Sequence, residues 1–225
     1  MKKYIAALFV FLVTAATHAQ QNEKPYVVLV SLDGFRWDYG RYFDTPNLDA
    51  IAKSGVHAKS MKPSYPTKTF PNHYSIVTGL YPDHHGIINN SFYDPLMKKK
   101  FSLGTSAKTD ASFYGGNPIW DVAEKQGVKT ASFFWPGSDT GEKSPSIYKK
   151  YDGSIPYTTR IETIVDWLGL PELERPHLIT LYFDEPDHTG HTFGPLSQEN
   201  RIMVQKMDSI IGLITSACSN HVGFK

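Results

Sequence analysis

Two largely apolar runs, Tyr26 to Leu32 and Leu178 to Phe183, are each followed by acidic residues, and this pattern constrains the fold most tightly. Strands that are largely apolar without a two-residue alternation are those of a parallel sheet covered by helices. The segments around them carry helical signals. Thr45 ahead of Pro46 predicts a capped helix through about Ser54. Tyr74 to Thr78, between the candidate cap Asn72 and the stop Gly79, predicts a short helix. Ile119 to Gln126 predicts a helix that stops at Gly127, Thr130 to Trp135 a buried strand, and Arg160 to Leu168 an amphipathic helix. From Ser197 to about Ser219, Ile202, Met203, Met207, Ile210, Ile211 and Ile214 recur at helical spacing. The alternation predicts an α/β fold.

At the N-terminus, Lys2 and Lys3 precede an apolar stretch, Ile5 to Ala16, that is short for a membrane span. Small residues at Thr17 and Ala19 predict a signal peptide cleaved after Ala19, with Ala16 and Gln20 as neighbouring alternatives. No cysteine follows the apolar run, so no lipid anchor is expected, and the predicted location is periplasmic or secreted. Removing both lysines changes the formal charge from +1 to −1. That balance gives no reason to expect a nucleic-acid-binding surface or electrostatic attachment to an acidic membrane. Cys218 is the single cysteine, which excludes an internal disulfide and a thiolate zinc cluster. Metal ligands would have to be histidines and carboxylates.

In open α/β sheets ligands bind at the carboxyl ends of the strands. Asp33 follows the first strand in S-L-D-G-F-R, where taken alone it reads as a turn residue beside Gly34. Asp187 and His191 follow the later strand in E-P-D-H-T-G-H-T-F-G-P. Four residues apart, in a loop shaped by Pro186, Gly190 and Pro195, they offer one cation oxygen and nitrogen ligands that suit zinc. Thr69 precedes the predicted helix in P-T-K-T-F-P-N-H. It can serve as a cap, or as a nucleophile placed where helix N–H groups favour a phosphate. A threonine hydroxyl is a weak acid, and a metal is the natural activator where no general base is adjacent. His73, His84 and His85 are expected to have structural or solvent-exposed roles.

The segments S-L-D-G-F-R, K-T-F-P-N-H with the following Y-S-I-V-T-G-L-Y-P, and E-P-D-H-T-G-H-T-F-G-P resemble the nucleotide pyrophosphatase/phosphodiesterase family of the alkaline phosphatase superfamily. The resemblance runs from about Pro25 through the last helix and implies a three-layer α/β/α sandwich carrying two zinc ions. Carried over to this sequence, it implies that Asp33 and Thr69 bind the zinc that activates the nucleophile, and that Asp187 and His191 bind the second. Asn90, with the backbone N–H of Phe70, would hold a non-bridging phosphate oxygen; taken alone Asn90 reads as a turn asparagine, and Asn89 could be confused with it. Phe70 and Tyr182 fall near the nucleobase pocket. The implied reaction passes through a phosphothreonyl intermediate on Thr69.

Family members continue into a strand ending in Asp-His-Gly and to a later histidine, which supply three further zinc ligands. This sequence carries none of them, so residues 20–225 are expected to be an N-terminal part of the catalytic domain, with an uncovered sheet edge and poor solubility. The expected function is zinc-dependent hydrolysis of phosphodiester or pyrophosphate bonds in nucleotides or related small molecules. The alternatives are a hydrolase of phosphomonoesters, phosphonates or sulfate esters, and a truncated non-catalytic fragment.

Overall fold

The computed structural model describes residues 25–222, so the leader reading of residues 1–19 lies outside the described residues. The strands are β1 (Val27–Leu32), β2 (Ser91–Asp94), β3 (Lys99–Ser102), β4 (Thr130–Phe133), β5 (Ile147–Lys149) and β6 (Leu178–Phe183). The helices are α1 (Pro46–Ser54), α2 (Thr69–Thr78), α3 (Pro82–His85), α4 (Ile119–Lys125), α5 (Tyr157–Leu168), α6 (Asp187–Phe193) and α7 (Gln198–Val222).

The main sheet has the order β1-β6-β4-β5, with every neighbouring pair parallel. As expected for an all-parallel sheet, β6 is buried at all six positions, so both of its faces are covered. The helices form two packed groups: α1, α5 and α6 against α7, and α3 and α4 against α2. Trp120, Ile164, Leu168, Ile179, Leu181 and Met207 lie in the resulting core, all 1% exposed or less. β2 and β3 form a separate antiparallel hairpin that the sequence pattern did not disclose. Its apolar residues are too few to make a period, and it is held by Phe92 stacked on Phe101 at 5.1 Å.

α7 organises one layer. Its Asp208, 2% exposed, reaches across to the start of α1. There its carboxylate accepts the N–H of Asn47 at 3.2 Å, the Asn47 amide at 2.8 Å and the N–H of Leu48 at 2.8 Å. Thr45 occupies the expected cap position but makes no side-chain cap bond, so a carboxylate from another helix satisfies these donors instead. Gly212 permits the approach, because a Cβ there would lie 2.4 Å from Asn47 Oδ1.

Several boundaries differ from the sequence reading. α2 starts at Thr69 rather than Tyr74, and Asn72 is inside it rather than capping it. Asn72 Oδ1 instead accepts the N–H of Ser64 at 3.0 Å, fastening the irregular segment that leads into the helix. Pro71, one residue from the site of the expected cap, is compatible with a first helical turn, where its missing N–H breaks no helical hydrogen bond. The strand expected over residues 130–135 ends at Phe133, because Phe134 turns left-handed at φ 69°. The segment holding Asp187 and His191 is a helix, not a loop.

Asp208→Ala would leave three half-buried donors without their acceptor. We expect a loss of roughly 2–3 kcal/mol in chemical denaturation, with Asp208→Asn recovering part of it.

Candidate active site

The site grows from the pairing of β1 with β6. In register, Leu32 lies opposite Phe183, so the two strands end level with one another. The N–H of Asp33 donates to the Phe183 carbonyl at 2.9 Å, and the N–H of Asp187 donates to the Asp33 carbonyl at 2.9 Å. Gly34 permits this second contact. It has φ 67°, and a Cβ on it would come within 2.6 Å of Asp187 Cα, so a side chain is excluded by both conformation and space.

The carboxylate of Asp33 is held from two sides. Oδ1 accepts the N–H of Gly34 at 3.0 Å, and Oδ2 accepts the Tyr182 hydroxyl at 2.8 Å. Burial, with Asp33 beside it, raises the Tyr182 phenol far above its ordinary value, so it stays a donor. Tyr182 had been expected only near a base pocket. Its contact with Asp33 crosses 149 residues of sequence and becomes visible only with the strand register.

Asp187 is the first residue of α6, and His191 stands one turn later, with Nε2 3.4 Å from Asp187 Oδ1. A helix gives these residues a common face at i and i+4. Glu185, 6% exposed, caps this helix by accepting the N–H and the hydroxyl of Thr189 at 3.0 and 2.9 Å. The signal for this helix was in the sequence, in an acidic residue followed by Pro186 and then Asp187. Its short length concealed it. Burial first, and then the charge of Asp33, raises the Asp187 carboxyl above its ordinary value.

Thr69 is the first residue of α2, rather than lying ahead of the helix. The N–H of Phe70 donates to Asn90 Oδ1 at 2.9 Å, while Asn89 Oδ1 accepts the N–H of Asn90 at 2.8 Å. The two asparagines are thereby told apart, since Asn90 is the one that reaches α2. The Phe70 N–H is occupied by this bond, which leaves the Asn90 amide N–H groups as donors.

His73 and His85 have the structural roles expected of them. The Ile87 N–H donates to His85 Nδ1 at 3.2 Å, which leaves Nε2–H to donate to Ser75 at 2.9 Å. Burial lowers both imidazoles below their ordinary value.

Two cavities meet at Thr69. An open cleft of about 780 Å³ is lined by Asp33, Thr69, Asn90, Asp187 and His191 among others. A smaller pocket of about 140 Å³ is lined by Thr69, Phe70, Lys108, Asp139, Tyr151 and Tyr182 among others. Burial raises the Asp139 carboxyl, with Lys108 opposing the shift. Phe134, Tyr151 and Phe70 give the smaller pocket aromatic walls. Of these residues Thr69, Phe70 and Tyr182 were singled out from the sequence; Lys108, Asp139 and Tyr151 come from segments with no motif.

The cleft contains donors of the kinds zinc accepts: carboxylates, an imidazole and a hydroxyl. Among the described residues, no group of three or more His, Cys, Asp or Glu side chains gathers where it could hold a metal. The donors fit zinc in kind, and in number they supply part of a site.

Residues 27–224 match the Type I phosphodiesterase / nucleotide pyrophosphatase family. The chain belongs to this family. It is 49% identical over 196 residues to human ectonucleotide pyrophosphatase/phosphodiesterase family member 1, across 85% of this chain and 21% of that protein. It is 46% identical to venom phosphodiesterase of Macrovipera lebetinus, across 85% of this chain and 23% of the other.

Among solved structures, murine ectonucleotide pyrophosphatase/phosphodiesterase 5 superimposes with a TM-score of 0.84 at 33% identity, covering 89% of this chain and 54% of that one. That protein is an inactive threonine-to-alanine variant in complex with AMP. The agreement supports the expected alkaline-phosphatase-like α/β fold. The chain spans about a fifth of the length of the curated relatives and about half of the solved chains.

The shift of the Asp187 carboxyl, raised by burial and then by Asp33, has a measurable effect on stability. A carboxyl whose folded value is raised stabilises the fold only while protonated, and that contribution is lost as pH rises through its titration. Asp187→Asn should therefore raise the metal-free melting temperature at neutral pH. The gain should shrink as the pH is lowered until Asp187 in the parent chain is itself protonated.

Proposed function

We propose that this chain forms part of a hydrolase of phosphodiester or pyrophosphate bonds in nucleotides or related compounds, with Thr69 as nucleophile. The observation that carries the proposal is the position of Thr69 on the shared wall of the two cavities. The aromatic pocket suits a planar base, and the cleft with Asp33, Asn90, Asp187 and His191 suits a phosphate and its counter-charges. The inactive threonine-to-alanine relative in complex with AMP supports the same assignment.

In this reading the Thr69 hydroxyl gives its proton to solvent as its oxygen forms a bond to phosphorus and the bond to the leaving oxygen breaks. The leaving group departs with that electron pair and takes a proton from solvent. Water then attacks phosphorus and loses a proton to solvent, the phosphothreonine bond breaks with its electron pair on the threonine oxygen, and that oxygen takes a proton to restore the hydroxyl. Asn90 offers its amide N–H groups to a non-bridging oxygen, while Tyr182 and Gly34 keep Asp33 oriented.

Asp33 and Thr69 would hold one zinc ion, and Asp187 and His191 a second. When bound, such ions supply positive charge that favours the ionised hydroxyl and the leaving oxygen. With two protein ligands for each ion, this chain supplies fewer than the three usual at zinc sites. Among the described residues no helix is long and apolar enough to cross a membrane. The words "ecto" and "venom" in the relatives' names support a periplasmic or secreted protein.

A phosphomonoesterase or sulfatase acting on esters without an aromatic group is favoured less, because the aromatic pocket beside Thr69 would then have no group to receive. A nitrophenyl nucleotide diester should be hydrolysed far faster than nitrophenyl phosphate, and equal or reversed rates would reject the diesterase reading. Thr69→Ala should lower kcat on the order of a thousandfold or more. Zinc per chain, measured alongside turnover, should fall in Asp187→Asn. A chiral phosphorothioate diester should react with net retention at phosphorus, since two displacements each invert it.

A further inference from the structure

Thr69 occupies a mechanically weak place for a nucleophile. It is the first residue of α2, its cap residue Lys68 makes no side-chain cap bond, and residues 55–68 before it form neither helix nor strand. Helix ends of this kind fray. The opposite side of the turn carries a compensating contact. His73, 3% exposed, places Nδ1 2.7 Å from the Thr69 carbonyl oxygen and Nε2 2.8 Å from Ser31 Oγ. A carbonyl can only accept, so Nδ1 carries the proton, and Nε2 accepts the Ser31 hydroxyl.

Both ends of this bridge lead to the site. Ser31 is on β1, two residues before Asp33, and pairs in register with Tyr182. The His73 ring meets the Tyr182 ring edge-on at 5.0 Å, and the Tyr182 hydroxyl holds Asp33. Trp135 fixes the His73 backbone by donating Nε1–H to its carbonyl at 3.1 Å.

We infer that His73 is a positioning residue. As the Nδ1–H tautomer it ties the first turn of α2 to β1, so that the Thr69 hydroxyl and the Asp33 carboxylate keep a fixed mutual position. Asn90 secures the same turn from the other side through the Phe70 N–H, so the nucleophile is held by two tethers rather than by a cap. The role in turnover rests on the reading of Thr69 as nucleophile, whereas the tether itself does not.

The test uses the full chain. Nitrogen NMR of the His73 ring should show the proton on Nδ1. His73→Leu should speed amide hydrogen exchange at Asn72 at least tenfold while leaving the protection of α7 unchanged. With the nitrophenyl nucleotide diester, kcat should fall about 10- to 100-fold with KM within a few-fold. His73→Asn, whose amide can reach the Thr69 carbonyl as Nδ1 does, should recover much of both effects.

Should His73→Leu not fold, Ser31→Ala removes the other end of the bridge and should show the same pattern more weakly. A proton on Nε2, or unchanged exchange at Asn72, would overturn the tether. Unchanged kcat, or a loss carried wholly by KM, would overturn the positioning role. A chain that folds and shows the tether but hydrolyses no diester would refute the functional reading instead, because tautomer and exchange are measured without turnover.

Discussion

The parallel pairing of β1 with β6 is the interaction on which the site depends. Ending level with one another, the two strands bring Asp33 and Asp187 together through a backbone hydrogen bond of 2.9 Å. A shift of one residue along the pair would turn the side chains of one strand to the other face, separating Tyr182 from Asp33 and Ser31 from His73. Gly34 then permits an approach that the register alone could not produce.

Around this pair, polar groups from distant elements replace the local caps that the sequence led one to expect for two helices. Asp208 on α7 serves the start of α1 and Asn90 serves α2, so each of these helix ends is fixed relative to another part of the fold. Glu185, immediately before α6, serves that helix locally. The aromatic pocket is stiffened in a related way. The buried Arg160 guanidinium lies 5.0 Å over the Phe134 ring and 4.7 Å over Tyr157, behind the wall that Phe134 presents to the pocket.

The β6 strand and the long α7 helix were legible in the sequence because each has an apolar pattern long enough to identify its period. The seven residues singled out for the site came from motifs rather than from any period. The structure brings Asp33, Thr69, Asn90, Asp187 and His191 to one cleft, and Phe70 and Tyr182 to the pocket beside it. Short elements were harder to read. α6 has seven residues and two glycine or proline neighbours that resemble loop punctuation, and the β2–β3 hairpin is only four residues to a strand. Lys108, Asp139 and Tyr151 could not be found by motif, since they reach the pocket from irregular segments or turns. The Tyr182 ring lines the aromatic pocket, while the role of its hydroxyl depended on a neighbour across the sheet.

The order of strands also sets a timetable for biosynthesis. β1 is made first, yet its partner β6 lies 149 residues later along the Tyr182–Asp33 contact. At ordinary rates of translation, roughly 7 to 30 seconds separate the two strands. Throughout that interval β1 is a nascent apolar ribbon with unpaired backbone groups, open to pairing with another chain. Asp33 and Thr69 are synthesised early, but the cleft they share with Asp187 and His191 is among the last features to come into being.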